Sequence, residues 1–318
     1  MLTESEPWDV VVLGAGWRGL TAALRARRAD PAARVLVVEA APQPGGSVRT
    51  QRTNGFVCEL GPFAFPAAEL SALTSLLTNA PLPISCSTEA RVGHLFTGSE
   101  LVPIEVDPLP LSFRSGTEEI VQACRRQLGD SLRLGRAVTA VDLGEHFTID
   151  LAGEVPARLR TKSLIVALPT ATAGRLLGRF DPALAPVAER IRVTHHAMVF
   201  FGGNLAEPPT FSGYGIVPAE HVATQLAEVI FCHVAFPGRA LPGRFLVRCE
   251  MSGLDANSYE AAVLTLAETE LRRWTGTTAP LGLCKVHTFQ GEVADGALIE
   301  CRARLRELPQ RVPRLAFV

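Results

Sequence analysis

The stretch VVVLGAGWRGLTAALRARRA, Val10 to Ala29, constrains the fold more than any other part of the chain. Trp8–Leu13 is an apolar, β-branched run suited to a strand buried on both faces. Gly14, Gly16 and Gly19 follow in GxGxxG spacing. The first glycine permits a tight turn, the second lets a pyrophosphate approach the backbone, and the third lets a helix pack on the strand. Leu20–Ala29 continues as a helix, with Leu20, Ala23, Leu24 and Arg27 at helical intervals. Its N-terminus presents free N–H groups to an anion. ARVLVVEAA then supplies a second buried strand, and Glu39 stands where a carboxylate hydrogen-bonds a ribose. A lone GxGxxG is weak evidence, but here a strand precedes it and a helix follows. The stretch predicts a Rossmann-like α/β dinucleotide-binding unit.

The rest of the chain must be read around that unit. Its 318 residues suffice for two domains, and 47% hydrophobic with 20% charged residues describes a well-buried globular protein. The net charge of −1 offers no global field for nucleic acid or an anionic membrane. Seven scattered cysteines contain no CxxC, so neither a disulfide framework nor a metal site is expected. They read as small buried hydrophobes in a reducing compartment. The opening MLTESEPWD lacks a basic signal-peptide region, and no stretch approaches the ~18 apolar residues of a membrane span. A cytoplasmic location is expected.

EAAPQPGGSVRT, residues 39–50, separates two kinds of dinucleotide protein. A glycine pair just past the ribose acid is foreign to a simple NAD fingerprint. It resembles the signature of the flavin amine oxidase superfamily, which includes amine oxidases, phytoene desaturases and protoporphyrinogen oxidases. The resemblance implies FAD, with Gly45 and Gly46 letting the chain cross close to the flavin side of the cofactor. A basic residue usually follows the pair directly; Ser47 stands there, and Arg49 supplies the charge two positions on. GFVCELGP, residues 55–62, resembles the segment that passes the flavin ring, with Gly61 at the close approach.

Further blocks narrow the resemblance to protoporphyrinogen and coproporphyrinogen oxidases. ARVGHLFTGSELVPI, residues 90–104, is similar to a strand pair in which an arginine meets a substrate propionate. That implies a substrate role for Arg91, whose fork matches a carboxylate. LSFRSGTEEIVQACRRQLGDSLRLGRAVTAV, residues 111–141, predicts a Ser115–Glu118 capping box and a helix burying Ile120, Val121, Cys124 and Leu128. Gly129 stops that helix, and a strand follows over Leu132–Val141. The resemblance gives Val138 the backbone that brackets the adenine. Phe147, Ile149 and Leu151 alternate in a hairpin, and a buried strand ends at Pro169. VTHHAMVFFGG, residues 227–253 and CKVHTF read as strands of a second unit. SYEAAVLTLAETELRRWTG is a helix with Val263, Ala267, Leu271 and Trp274 on one face, closed by Gly276. GYGIVPAE and FPGRALPG resemble pieces specific to the same oxidases.

Two departures accompany these matches. The family carries a large helical, membrane-meeting insertion where Pro108–Leu109–Pro110 here runs directly into Leu111–Ser112–Phe113. In the family the closing strand RVPRLAFV leads to a glycine-rich turn and a last helix; here the sequence stops at Val318. The resemblance therefore implies a shortened member whose pocket lacks one wall, with the chain naturally short, trimmed or incomplete.

The expected architecture is an FAD-binding domain of residues 1–65, 111–171 and 295–318. Residues 66–110 and 172–294 form a second α+β substrate domain of mostly antiparallel sheet. The expected function is hydride transfer from a tetrapyrrole or similar bulky reduced substrate to flavin N5, with reoxidation by dioxygen, in porphyrin and heme biosynthesis. One alternative is a weak or inactive homologue that binds flavin or porphyrin as an accessory protein. Another is a different amine oxidase or desaturase of the superfamily. No catalytic side chain stands out. One of His195 and His196 is expected in the core and the other in solvent, and His94 on a surface strand. Arg25, Arg27, Arg28 and Arg34 are expected to form a solvated face.

Overall fold

The computed structural model describes residues 2–3, 6–205 and 211–318. Its first sheet runs in the order Leu132–Arg133, Val35–Val38, Trp8–Leu13, Ala157–Val166, Phe147–Ala152, Ala137–Leu143. The first four strands are parallel, and Leu315–Phe317 adds to Ala157–Val166 in the same sense. Val11, Val12, Leu13 and all of Val35–Val38 are buried, as continuous apolar strands covered on both faces must be. Leu20, Ala23 and Leu24 bury one face of helix Trp17–Ala29 against Val12, Val35 and Val37.

Several expectations need correction in detail. The opening helix begins at Trp17, three residues before Leu20, because Gly16 is already its N-cap. Arg27 is not solvated: it donates to the carbonyls of Gln127 (3.0 Å) and Leu128 (3.3 Å), closing the end of helix Glu118–Leu128. The capping box does not form. Thr117 precedes that helix, the Ser115 amide donates to the Glu119 carboxylate, and the Glu118 amide donates to Thr50 Oγ1 at 3.1 Å. The strand expected over Leu132–Val141 is broken at Gly135, whose φ of +66° turns the chain. A further helix, not among the expected elements, spans Gly296–Arg311. Asp295 caps it by accepting from the amides of Ala297 and Leu298, and Cys301, Leu305 and Leu308 enter the core of the first sheet.

The second sheet has seven strands, in the order Gly282–Glu292, Val193–Asn204, Arg244–Leu254, Leu226–Phe231, Gly215–Pro218, Val92–Phe96, Leu101–Glu105. Every neighbouring pair is antiparallel except Gly215–Pro218 with Val92–Phe96. One face packs on helix Glu260–Thr275 through Val263, Ala267, Leu271 and Trp274, and Gly276 closes that helix at φ +67°. The other face presents Met198, Phe200, Ile230 and Leu246 to Phe56 and Cys58 of the hairpin Thr50–Thr53/Phe56–Glu59. The alternation expected at His195 and His196 fails, because the register shifts between His195 and Ala197; both rings are half-buried.

A buried ion pair ties this hairpin to the second unit. Arg239 of FPGRALPG lies 3.2 Å from the Glu59 carboxylate of GFVCELGP, with side chains 2% and 3% exposed. Glu59 also accepts from Thr50 Oγ1 (2.7 Å), the Thr117 amide (3.0 Å) and Thr117 Oγ1 (2.7 Å). Arg239 donates to Ser112 Oγ at 2.6 Å. Burial pushes the Glu59 carboxyl up from its ordinary value, against the pull of the Arg239 guanidinium and the threonine hydrogen bonds. Removing one partner strands the other charge, so Arg239→Leu should lower unfolding stability by about 3–5 kcal/mol. Urea denaturation measures this, and Arg239→Leu with Glu59→Leu should recover part of the loss.

Candidate dinucleotide and substrate site

The glycine loop uses its three glycines in two ways. At Gly14 (φ +96°) a Cβ would lie 2.5 Å from the Ala167 carbonyl oxygen; at Gly19 it would lie 2.0 Å from the Gly14 carbonyl oxygen. Both are filled by the protein's own backbone. At Gly16 a Cβ would meet nothing within 4 Å. That open face, at the start of helix Trp17–Ala29, is the cradle a pyrophosphate needs.

The glycine pair comes to the same place. The Gly45 amide donates to the Ala15 carbonyl at 2.8 Å, and Gly16 and Gly45 form a parallel bridge. Gly45 and Gly46 have φ of +114° and +59°, and a Cβ on Gly46 would lie 3.2 Å from Gly16 Cα. Gly61 packs on the next residue along, since its Cβ would fall 1.8 Å from the Ser47 carbonyl oxygen. Arg49 is exposed and donates Nε to the Gly46 carbonyl at 3.1 Å. Burial, with Lys285 and Arg49 adding, holds the nearby His287 imidazole below its ordinary value.

Glu39 closes the other side. One carboxylate oxygen accepts from the Ala15 amide at 2.7 Å and the other from the Ala41 amide at 2.9 Å. A carboxylate has about four acceptor positions, so capacity remains for a ribose. The Glu39 amide donates to the Arg133 carbonyl (2.9 Å), and the Arg136 amide donates to the Glu39 carbonyl (2.8 Å). The segment leading to Val138 therefore runs beside the acid, and Val138 sits half-buried at a register shift in its strand. The residues present thus fit a dinucleotide: an open glycine, flanking positive-φ glycines and a ribose-side acid.

Arg91 ends a short 3-10 turn, Thr88–Arg91, immediately before strand Val92–Phe96. Its side chain is exposed, and the next residue, Val92, accepts from the Tyr214 amide at 2.7 Å. His94, expected at the surface, is half-buried, and its Nδ1 has no partner among the described residues. Burial pushes the thiols of Cys86, Cys124 and Cys232 up to about 12, far from nucleophilic at neutral pH. The Glu59–Arg239 pair is not legible in the sequence, although both residues lie in the GFVCELGP and FPGRALPG stretches. Nothing in a linear reading links positions so far apart.

Residues 12–79 match the NAD(P)-binding Rossmann-like domain family. The coproporphyrinogen III oxidase of Staphylococcus aureus is 30% identical over 97 residues, 30% of this chain and 21% of that protein. The hydroxyneurosporene desaturase of Rhodobacter capsulatus is 29% identical over 97% of this chain and 62% of its own length. The chain thus spans less than two thirds of either curated relative. Among solved structures, an Exiguobacterium protein assigned as a protoporphyrinogen oxidase superposes with a TM-score of 0.78 at 14% identity, covering 99% of this chain and 94% of that one. Wild-type putrescine oxidase bound to putrescine gives 0.68 at 14%, covering 99% and 93%. The chain shares its fold with these two structures, and no helix among the described residues is long and apolar enough to cross a membrane.

The glycines should separate folding from binding. Gly16→Ala, at φ −61° in open space, should leave the melting temperature equal or slightly higher. It should weaken dinucleotide binding about tenfold or more by filling the cradle. Gly19→Ala should instead destabilise the fold. Thermal melts paired with equilibrium dialysis against FAD distinguish the two.

Proposed function

We propose that this chain, built on the fold of the FAD-dependent oxidoreductases, is itself an oxidoreductase of the protoporphyrinogen/coproporphyrinogen oxidase type. It acts on a tetrapyrrole or similarly bulky reduced ring. The observation that carries the reading is the glycine pair seated against Gly16. A nicotinamide fingerprint needs the first loop alone, whereas here a second crossing of backbone opens beside it. The chemistry supplied by bound FAD is acceptance of a hydride at N5 and its delivery to dioxygen. The protein's part is to hold and orient. In this reading Gly14, Gly16 and Gly19 shape the diphosphate loop, Glu39 takes the ribose, and Val138 borders the adenine. Gly45, Gly46 and Gly61 admit the flavin end with Arg49 at its side, and Arg91 pairs a substrate carboxylate. Residues 1–65, 111–171 and 295–318 serve the cofactor, and 66–110 with 172–294 serve the substrate, in the cytoplasm. The match to the S. aureus oxidase and the fold shared with the Exiguobacterium protein support this reading.

A second reading is a desaturase of the same superfamily. The match to the Rhodobacter desaturase runs over 97% of this chain and favours it.

Purified protein should be yellow, with one flavin per chain after incubation with FAD. Anaerobic addition of a porphyrinogen should bleach it, and a carotenoid precursor should not; bleaching by the carotenoid alone would install the desaturase. Protein that takes up no FAD would leave only the accessory role. Because Arg91 is exposed, its pairing is worth about 0.2–1 kcal/mol. Arg91→Ala should therefore raise the porphyrinogen KM up to about fivefold with kcat unchanged.

A further inference from the structure

A cavity of about 470 Å³ opens beside the glycine loop, lined among others by Arg18, Thr170, Glu292, Arg302, Arg306 and Phe317. It lies at the carboxyl ends of three parallel strands, Trp8–Leu13, Ala157–Val166 and Leu315–Phe317. The chain leaves Trp8–Leu13 for Val35–Val38 on one side, and Ala157–Val166 joins on the other. That is a switch point of the sheet, the crevice where open α/β sheets take ligands. The Ala167 carbonyl, one residue before the lining Leu168, is the group that would strike a Cβ on Gly14. Cavity and loop share a wall.

Its charge is out of balance. Three guanidinium side chains line it against one carboxylate side chain, with the last residue, Val318, also in the wall, and that carboxylate side chain is engaged. Glu292 Oε1 accepts from the Ala171 amide at 2.8 Å, and its Oε2 lies 4.0 Å from Arg302. Arg302 also donates Nε to Thr170 Oγ1 at 3.2 Å. Arg18 and Arg306 have no hydrogen-bond or ion-pair partner among the described residues. Arg302 and Arg306 stand four apart on helix Gly296–Arg311, a like-charge spacing that destabilises a helix unless an anion intervenes. Arg18 sits on the first turn of the helix that Gly16 caps and lines the cavity from that side.

We propose that Arg18, Arg302 and Arg306 form an anion subsite for the diphosphate of the bound dinucleotide. The inference rests on the flavin reading above for the identity of that dinucleotide. Guanidinium forks match phosphate oxygens, and a site at the loop's edge complements backbone N–H groups that bear no full charge. The subsite also gives the chain a cationic partner for phosphate where Ser47 follows the glycine pair.

The test uses the full chain and the variant Arg18→Gln/Arg306→Gln, which removes the two partnerless charges and spares the Arg302–Thr170 contact. Calorimetry with FAD, riboflavin and inorganic pyrophosphate is run at several salt concentrations, with melting temperature as a check on folding. The variant should bind FAD about tenfold more weakly, with a shallower salt dependence, and riboflavin should be unaffected. Unchanged FAD affinity and salt slope, or an equal loss for riboflavin, would overturn the subsite. If the native chain takes pyrophosphate, the variant does not, and neither binds FAD, the subsite stands and the flavin reading falls. If the native chain binds none of the three, the subsite falls too.

Discussion

The Glu59–Arg239 pair is the contact on which the relation between the two sheets depends. Its side chains are almost fully buried, and two charges so placed have lost most of their hydration. The loss is offset because each partner is met several times over. Glu59 gathers Thr50, Thr117 and Arg239, while Arg239 reaches Ser112 as well. Hydrophobic packing alone would let the hairpin Thr50–Thr53/Phe56–Glu59 slide against the apolar face of Phe200, Ile230 and Leu246. A directional, fully satisfied pair admits one position. The backbone follows suit, with the Val57 amide donating to the Arg239 carbonyl at 2.9 Å. Leu60 and Gly61 come next in sequence, so the close approach of Gly61 to Ser47 inherits its position from this lock.

The same economy of backbone governs the loop. Gly14, Gly19 and Gly61 are glycines because other main-chain atoms occupy the volume of a side chain, and Gly16 is one whose space is left open. A GxGxxG string does not distinguish these roles; the atoms that fill the space come from Gly14 itself, from Ala167 and, at Gly61, from Ser47. Glu39 shows a related double duty. Its two oxygens already brace the Ala15 and Ala41 amides, so the acid shapes the loop before any ribose arrives.

Where burial follows a local period, the structure was legible from residues alone. The Trp8–Leu13 strand, the Phe147–Ile149–Leu151 alternation and the apolar face of helix Glu260–Thr275 all follow from spacing. What escaped was set by distant partners or by competing local signals. The Ser115–Glu118 box lost because Thr117 turns inward to Glu59, which fixes the helix start from 58 residues away. Helix Gly296–Arg311 opens on an Asp-Gly pair and carries Pro309, signals that ordinarily mark a turn and a break. Asp295 is in fact its N-cap, and Pro309 falls in the last turn. The histidine alternation failed at a bulge, where period-two reasoning loses its phase. Of the candidate site, the glycines and Glu39 were readable and come together in space. The arginines around the cavity were not, since Arg18 and Arg306 look like ordinary solvated helix positions until the strand ends bring them together.

A flavin enzyme asks little of its side chains, because the difficult electron chemistry resides in the cofactor. Selection on such a protein falls on main-chain geometry: positive-φ glycines, strand ends, and a loop held open. Those features survive wide sequence divergence, so near-complete overlap in fold at low identity follows directly. On the flavin reading proposed above, a basic residue displaced from the glycine pair is tolerable on the same ground, provided positive charge reaches the phosphates from elsewhere. The second sheet's face toward Phe63 carries Arg248 between Glu228 at 3.1 Å and Glu250 at 2.9 Å. Two carboxylates paired across neighbouring strands repel unless a cation lies between them. Arg248 is nearly fully buried there, and burial pushes the Glu228 carboxyl up. On the second sheet a pair of facing carboxylates is thus held by one buried cation, whereas the glycine loop of the first sheet is shaped by neighbouring backbone.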